Sequence, residues 1–379
     1  MTARWLVLGS HIPAAGRLGG MIRYTIEVSR ALDSRSDVEV HVHCQPDAVP
    51  FLHTELGLGL EQLHPGATGS TVRDSIIERY RLGDLIDRLC PEVVLGTKQL
   101  LPRRAGHETR VLTVHDMLPL DRPGDFGPAK RILLPHAYRR SIGDADVLAC
   151  VSEATRDRLR HHAPAAAERA VVVANAMTSS LTSTPAEPLP ELEGRTFALV
   201  VGDRSHRKNL GFVIDLWAEV MARHPGAHLA LAGPPGWGRN EQLPGLIDLR
   251  RAAAASEQGL ISDGQLRWAY EHAAVTLCPS LLEGFGLPVL EALSLGCPVI
   301  LSTDPAQVEA AGGRATPIAL TRPSAWVDAI VDHLRPPRSS VEPPPRRTWT
   351  DVAEELVAAA DDANRRDGRR VASGRPDHE

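Results

Sequence analysis

Short, continuous apolar runs recur along nearly the whole chain, and segments with helical periodicity separate them. The runs are rich in Val, Leu, Ile and Ala, which is typical of parallel strands buried on both faces of a sheet. They cover residues 5–9, 38–44, 93–96, 111–114, 147–151, 171–174, 197–202, 228–232, 259–261, 275–278, 299–302 and 315–319. Strand and helix in alternation predict an α/β fold with parallel sheets, and the two similar halves predict two Rossmann-like domains.

Two helix starts are visible in the second half. Residues 210–221 place their apolar side chains on one helical face, and Asn209 is in position to cap the first turn. Ser262 and Gln265 form a capping box before the next helical segment.

The length of 379 residues supports two domains, at about 150 residues each. Residues 178–194 are rich in Ser, Thr, Pro and Glu without apolar periodicity, as an interdomain linker is. The polar tail is expected to be disordered. The predicted parts are an N-terminal domain (1–177), a linker (178–195), a C-terminal domain (196–334), a Pro-rich segment with a C-terminal helix (335–366) and the tail (367–379).

Composition excludes several classes of protein. Hydrophobic residues make up 43% and charged residues 23%, as in ordinary globular chains, and no stretch of about 18 uncharged apolar residues suggests a transmembrane helix. Residues 5–8 are too short an apolar run for a signal peptide. The five cysteines are scattered without a Cys-x-x-Cys pair, which favours the cytoplasm over an oxidising compartment. A net charge of −5 and 4% aromatics disfavour nucleic acid.

No cluster of His, Cys or carboxylates has metal-ligand spacing, so we expect neither a metal nor another cofactor. The sequence Asp144-Ala145-Asp146 spells Asp-x-Asp, a motif that holds a metal ion in some enzymes of a different fold. Because it lies just before an apolar run, we interpret it as the end of a helix.

One segment is specific enough to suggest chemistry: residues 279–299, which read PSLLEGFGLPVLEALSLGCPV. A glycine loop that leads into a helix, with Pro288 at the helix start, offers free backbone N–H groups and a positive dipole end to an anion. Taken alone, the segment is also compatible with an ordinary strand–loop–helix unit. In that interpretation Glu283 lies in a solvated loop and Glu291 near the helix start.

The whole segment resembles the signature of the family 4 retaining glycosyltransferases of the GT-B fold, the glycosyl transferases group 1. The resemblance implies two Rossmann-like domains facing across a cleft, with the donor mainly on the C-terminal domain and the acceptor mainly on the N-terminal domain. It also implies that the C-terminal helix crosses back onto the N-terminal domain. By resemblance Glu291 binds the ribose hydroxyls of the nucleotide. Glu283 and the backbone after it then meet the donor sugar and diphosphate: Gly284, Phe285, Gly286 and Leu287.

Residues 201–210 resemble the family's strand-to-helix segment that ends in Arg-Lys-Asn. Lys208 matches its diphosphate-binding lysine, and an ammonium there neutralises charge that develops on the leaving group. Only three of the 42 basic residues are lysine, which singles out this position. We expect Lys208 to be exposed. Asp203 stands where some family members carry Arg, and whether Arg204 or Arg207 assists Lys208 is open.

Three further assignments depend on the resemblance. Gly19 and Gly20 match a Gly-Gly loop that closes over the donor phosphates, although a glycine pair alone is usually a turn. His115 resembles the family's His beside the reacting sugar, although a lone His is more often structural. Ile261 matches the segment whose backbone meets the nucleobase.

The resemblance implies transfer of a hexosyl unit, with retention, from a nucleoside diphosphate sugar to a hydroxyl of a sugar, lipid-linked sugar or small molecule. His115, Lys208 and Glu283 are the catalytic candidates. The reaction is expected to belong to glycan, cell-surface polysaccharide or glycoconjugate biosynthesis. The Arg-Lys-Asn variant favours a donor of the GDP-mannose or dTDP-rhamnose type. Two alternatives stay open: an epimerase or phosphorylase on the same fold, and a non-catalytic sugar-nucleotide binding module. Residues 128–135 are basic and apolar, and predict at most weak peripheral membrane contact because Pro135 interrupts the helical pattern.

Overall fold

The computed structural model describes residues 2–13, 19–66, 82–98, 100–234, 243–338 and 340–366. The chain forms two compact units. Of the described residues, the first unit comprises those between 2 and 120, 132–176 and 348–366, and the second comprises 121–131 and those between 177 and 347. The tail predicted at residues 367–379 lies outside the described residues.

Each unit is built on one parallel sheet. The strands are β1 Ala3–Leu8, β2 Val38–Cys44, β3 Leu63–Pro65, β4 Val93–Gly96, β5 Thr109–Val114, β6 Val147–Cys150, β7 Ala170–Val172, β8 Phe197–Val201, β9 His228–Ala232, β10 Ala255–Gly259, β11 Val275–Cys278, β12 Val299–Leu301 and β13 Thr316–Pro317. The first sheet has the order β3-β2-β1-β4-β5-β6-β7 and the second β10-β9-β8-β11-β12-β13. The predicted class, α/β with two Rossmann-like parallel sheets, is confirmed.

Helices connect the strands. Within the described residues they are α1 Gly20–Asp33, α2 Val49–Leu56, α3 Gly83–Leu89, α4 Leu118–Asp121, α5 Pro128–Asp144, α6 Glu153–His162, α7 Ser179–Ser183, α8 Leu210–Arg223, α9 Pro244–Arg251, α10 Asp263–His272, α11 Leu287–Ser294, α12 Pro305–Ala311, α13 Pro323–Leu334 and α14 Trp349–Arg366. No helix in this part of the chain is long and apolar enough to span a bilayer.

The continuous apolar strands are buried on both faces. In β1, Trp5 and Val7 pack into one core cluster of the first unit, while Leu6 and Leu8 pack into the other. Strand β8 divides its side chains between two clusters of the second unit in the same way. This two-sided burial explains why the strands read as apolar runs rather than as alternating patterns.

The predicted linker and the C-terminal helix are each part of one unit. Residues 178–195 belong to the second unit, where Leu181, Leu189 and Leu192 are buried in its core. Helix α14 belongs to the first unit and packs its apolar face into the same cluster as Trp5.

Three local predictions are wrong. The strand expected at residues 259–261 is β10, Ala255–Gly259, which pairs only with β9 at the sheet edge and therefore needs few apolar residues. The side chain of Asn209 makes no cap hydrogen bond; its amide donates to the Pro279 carbonyl at 3.2 Å. Helix α5 continues through Pro135 instead of being interrupted there. By contrast, the capping box of Ser262 and Gln265 is confirmed.

Both sheets reverse their strand order at one point, between β1 and β4 in the first and between β8 and β11 in the second. Open α/β sheets bind ligands at the carboxyl ends of the strands where this reversal occurs. In the second unit, that location is formed by residues 202–208 after β8 and residues 279–286 after β11.

Candidate active site

The loop after β8 brings Lys208 to the carboxyl end of the strand. Gly202 follows the strand with a φ of +149°, and a β-carbon there would lie 3.1 Å from Lys208 Cε. Glycine therefore leaves room for the lysine side chain to fold back across the strand end. A short 3₁₀ turn, His206–Lys208, then leads into α8.

Hydrogen bonds hold the loop after β11 to the loop after β8 and to the residue that follows β12. The Leu281 backbone N–H donates to the Arg207 carbonyl at 2.7 Å, and Ser302 Oγ donates to the Ser280 carbonyl at 2.6 Å. Gly286 then turns the chain with a φ of +96° immediately before α11. As predicted, Pro288 lies in the first turn of this helix, whose N-terminal end points a positive dipole toward the loop.

Glu283 joins the two loops through two cations. Lys208 Nζ donates to Glu283 Oε1 at 2.7 Å, and Arg207 donates to Glu283 Oε2 at 2.8 Å. The lysine and glutamate side chains are only 12% and 10% exposed. The expectation that Lys208 is exposed is therefore wrong, because the loop after β11 folds over it.

The charge state of Glu283 follows from this arrangement. Burial alone would raise the pKa of its carboxyl, but Lys208 and Arg207 outweigh burial and lower the pKa to about 2. Glu283 is therefore an anion at neutral pH and accepts hydrogen bonds. It cannot serve there as a proton donor.

Glu291 is the fifth residue of α11 and is 5% exposed. Tyr270, on α10, donates its hydroxyl to Glu291 Oε2 at 3.0 Å. Thr178 Oγ1 donates to Glu291 Oε1 at a longer 3.5 Å. Glu291 thus receives hydrogen bonds from hydroxyl groups, whereas Glu283 is held by an ammonium and a guanidinium group together with the Ser280 side chain.

Among the two arginines considered as helpers of Lys208, the structure brings only Arg207 to Glu283. Arg204 instead forms an ion pair with Glu257 of β10. The Asp203 carboxylate accepts hydrogen bonds from the backbone and hydroxyl of Ser205 at 3.0 and 2.5 Å. Ile261 lies on the turn between β10 and α10, in the same unit.

His115, Gly19 and Gly20 lie in the first unit. Gly19 and Gly20 lead into α1, whose first turn has no acidic residue. His115 follows β5, and its Nε2 lies 3.0 Å from the Thr97 carbonyl. A carbonyl can only accept, so Nε2 carries the proton and Nδ1 the lone pair. Burial lowers the pKa of His115 to about 4, so the ring is neutral at pH 7.

Sequence reasoning missed residues in both units. Tyr270 and Thr178 have no local signal, since they meet Glu291 only through the tertiary fold. Lys98 could have been found from the scarcity of lysine: it is buried just after β4 and donates to Ser10 Oγ at 2.5 Å. Burial, followed by the nearby charge of Lys98, lowers the pKa of His11 to about 3.

The sequence motif around Asp144 is part of the first unit's packing. Asp146 accepts the Arg110 backbone N–H at 2.9 Å and an Arg104 guanidinium hydrogen bond at 2.6 Å. The Asp144 carbonyl accepts from Arg110 at 3.1 Å. The described residues contain no group of three or more His, Cys, Asp or Glu placed to hold a metal ion.

Two doubly wound parallel sheets in one chain are the architecture of the GT-B class of glycosyltransferases. Two family models match the chain in succession: Glycosyltransferase Family 4 over residues 18–180 and Glycosyl transferases group 1 over residues 185–335. The chain belongs to the family 4 glycosyltransferases of the GT-B fold.

Characterised relatives carry glycosyltransferase names. The chain is 30% identical over 251 residues to the O-antigen chain mannosyltransferase B of Escherichia coli, and this match spans 63% of each protein. It is 27% identical over 340 residues to the D-inositol 3-phosphate glycosyltransferase of Acidothermus cellulolyticus, spanning 76% of this chain and 71% of that protein. The sucrose-phosphate synthase structure from Thermosynechococcus elongatus shares the fold, with a TM-score of 0.66, 15% identity, and coverage of 97% of this chain and 98% of that one.

Proposed function

We propose that the protein transfers a hexosyl unit from a nucleoside diphosphate sugar to an acceptor hydroxyl, with retention at the anomeric carbon. The observation that carries the proposal is the cation pair Lys208 and Arg207, held by Glu283 where the second sheet reverses its strand order. An anionic diphosphate suits this location because two cations and the N-terminal end of α11 converge there.

The cations act on the leaving group. When the bond to the anomeric carbon breaks, negative charge develops on the diphosphate, and Lys208 and Arg207 stabilise it. Both side chains are already oriented by Glu283, so little reorganisation accompanies the reaction. Glu291 then accepts hydrogen bonds from the ribose hydroxyls, while the backbone at Ile261 meets the base.

Glu283 is suited to accept a hydroxyl hydrogen bond from the donor sugar. Its pKa of about 2 keeps it ionised, and its oxygens are held by two cations, which weakens it as a nucleophile. We therefore favour front-face substitution, in which the leaving phosphate takes the acceptor proton. In the first unit, the neutral His115 has its lone pair on Nδ1, which suits it to accept a hydrogen bond from a hydroxyl group.

For the donor we propose GDP-mannose, with dTDP-rhamnose as the second choice. The Escherichia coli relative is named a mannosyltransferase, and this agrees with the donor type favoured by the Arg-Lys-Asn segment.

We propose glycan, cell-surface polysaccharide or glycoconjugate synthesis as the context. The five described free cysteines favour the cytoplasm as the compartment.

A nucleotide panel tests the donor site first. GDP, UDP and dTDP are each added to the protein, and thermal unfolding is followed. A ligand present at about 100 times its dissociation constant stabilises the folded state by roughly 2.7 kcal/mol. The Glu291→Gln variant is the matched control and should respond less to the same nucleotide. No response to any of the three would contradict the proposal.

The second test separates transfer from the alternative reactions. GDP-mannose is incubated with the protein and a panel of acceptor sugars and lipid-linked sugars, and GDP release is measured. A transferase releases GDP only when an acceptor is present, whereas an epimerase converts the donor without one and a phosphorylase requires inorganic phosphate. Proton NMR of the product gives the anomeric configuration, and inversion would refute retention.

A further inference from the structure

A buried tyrosine lies behind Glu291. Tyr270 is fully buried on α10, and its hydroxyl donates to Glu291 Oε2 at 3.0 Å. Burial, followed by the charge of Glu291, raises the pKa of Tyr270 well above its ordinary value. The hydroxyl therefore keeps its proton over the whole working range of pH and is always a donor to the carboxylate.

We infer that Tyr270 is a positioning residue that fixes the Glu291 carboxylate in the orientation needed to accept the donor ribose. The inference rests on the proposed ribose role of Glu291. A carboxylate on a glutamate side chain can rotate about its last bond, and one fixed donor on Oε2 selects one orientation. Oε1 is then held away from Tyr270, on the side of the longer Thr178 contact, and it is the oxygen that we assign to the ribose hydroxyls.

Helix α10 is itself fixed at both ends. Its first turn is closed by the reciprocal capping box of Ser262 and Gln265, directly after Ile261. At its other end the Arg338 guanidinium donates to the Tyr270 carbonyl at 3.0 Å. One rigid helix thus connects the segment assigned to the base with the hydroxyl that orients the group assigned to the ribose.

The test compares ligands with and without a ribose. GDP and UDP serve as the ribose-containing probes, and inorganic pyrophosphate serves as the probe that lacks it. Binding of each to the full chain is measured by calorimetry for the unchanged protein, Tyr270→Phe and Glu291→Gln. We expect Tyr270→Phe to weaken nucleoside diphosphate binding about tenfold, the scale of one lost hydrogen bond to a charged group. Pyrophosphate binding should stay unchanged.

Tyr138→Phe is the matched control. Tyr138 is also fully buried and donates its hydroxyl to a backbone carbonyl, that of Asp116, at 2.8 Å in the first unit. Its loss should destabilise the fold to a similar degree without affecting nucleotide binding. A double variant, Tyr270→Phe with Glu291→Gln, should bind no more weakly than Glu291→Gln alone, because the tyrosine acts through the glutamate.

The outcomes separate the inference from the proposed function. If Glu291→Gln weakens nucleoside diphosphate binding and Tyr270→Phe does not, the positioning role is wrong and the ribose role stands. If Tyr270→Phe weakens pyrophosphate binding as much as it weakens nucleoside diphosphate binding, the substitution damages the unit generally, and the inference is again wrong. If Glu291→Gln binds the nucleotides normally, or the unchanged protein binds none, both the ribose role and the inference fail.

Discussion

Replacing Glu283 by glutamine should remove an acid-sensitive contribution to the stability of the second unit. The pKa of Glu283 falls from an ordinary 4.5 to about 2 in the folded chain, because Lys208 and Arg207 outweigh the effect of burial. A lowered folded pKa gives stability that is present above the unfolded value and is lost as the pH falls toward the folded value. This lowering of the Glu283 pKa corresponds to a stabilisation of roughly 3 kcal/mol at neutral pH.

The size of this stabilisation at other pH values follows from the ordinary and the folded pKa of Glu283. The difference in unfolding free energy between the unchanged protein and Glu283→Gln should fall from roughly 3 kcal/mol at pH 7 to roughly 1 kcal/mol at pH 3. Urea unfolding followed by circular dichroism at several pH values measures it, with separate transitions fitted for the two units.

Asp332→Asn is the control for this experiment. Asp332 pairs with Arg335 at 3.2 Å, but the two side chains are 70% and 60% exposed. An exposed pair of this kind contributes about 1 kcal/mol or less, so the variant should differ little from the unchanged protein at any pH. If Glu283→Gln and the unchanged protein showed parallel pH profiles, the charge pairing at Glu283 would not be what stabilises the loop.

Three further predictions concern activity. Lys208→Ala should lower kcat by about two to three orders of magnitude, since it removes a donor aimed at the leaving group, while Lys208→Arg should retain part of it; steady-state rates on folded protein measure both. Glu291→Gln should raise the donor KM roughly tenfold with kcat near normal, whereas Glu283→Gln should lower kcat; the reverse pattern in the same assays would exchange their roles. Activity should persist in EDTA. Complete loss of activity that manganese or magnesium restores would indicate that Asp144 and Asp146 bind a metal ion.

The strand positions and the glycine loop could be predicted because both are encoded locally. Two-sided burial makes a parallel strand apolar throughout, and the turn at Gly286 needs a residue that adopts positive φ. Edge strand β10 was misplaced because it pairs on one side only and carries polar residues. Its position depends on its neighbour β9 rather than on its own composition.

The sequence could predict which residues belong to the candidate site, but not which of them contact one another. The resemblance selected Lys208 and Glu283, but they lie 75 positions apart in the sequence, and nothing in the sequence indicated that the glutamate folds onto the lysine. Burial of Lys208 depends on that tertiary contact, and so does the difference between Arg204 and Arg207. Tyr270 was missed for the same reason, since it lies 21 positions before Glu291 in the sequence.

The scarcity of lysine makes the molecule suitable for isotope labelling at its amines. Reductive methylation with ¹³C-formaldehyde would introduce NMR signals at three side chains, Lys98, Lys130 and Lys208, besides the amino-terminal amine. Lys130 is exposed and supplies an internal reference, while Lys98 and Lys208 each lie at the point where one sheet reverses its strand order. The Lys208 resonance would then report the arrival of a diphosphate beside Glu283, and the Lys98 resonance would report separately on the first unit.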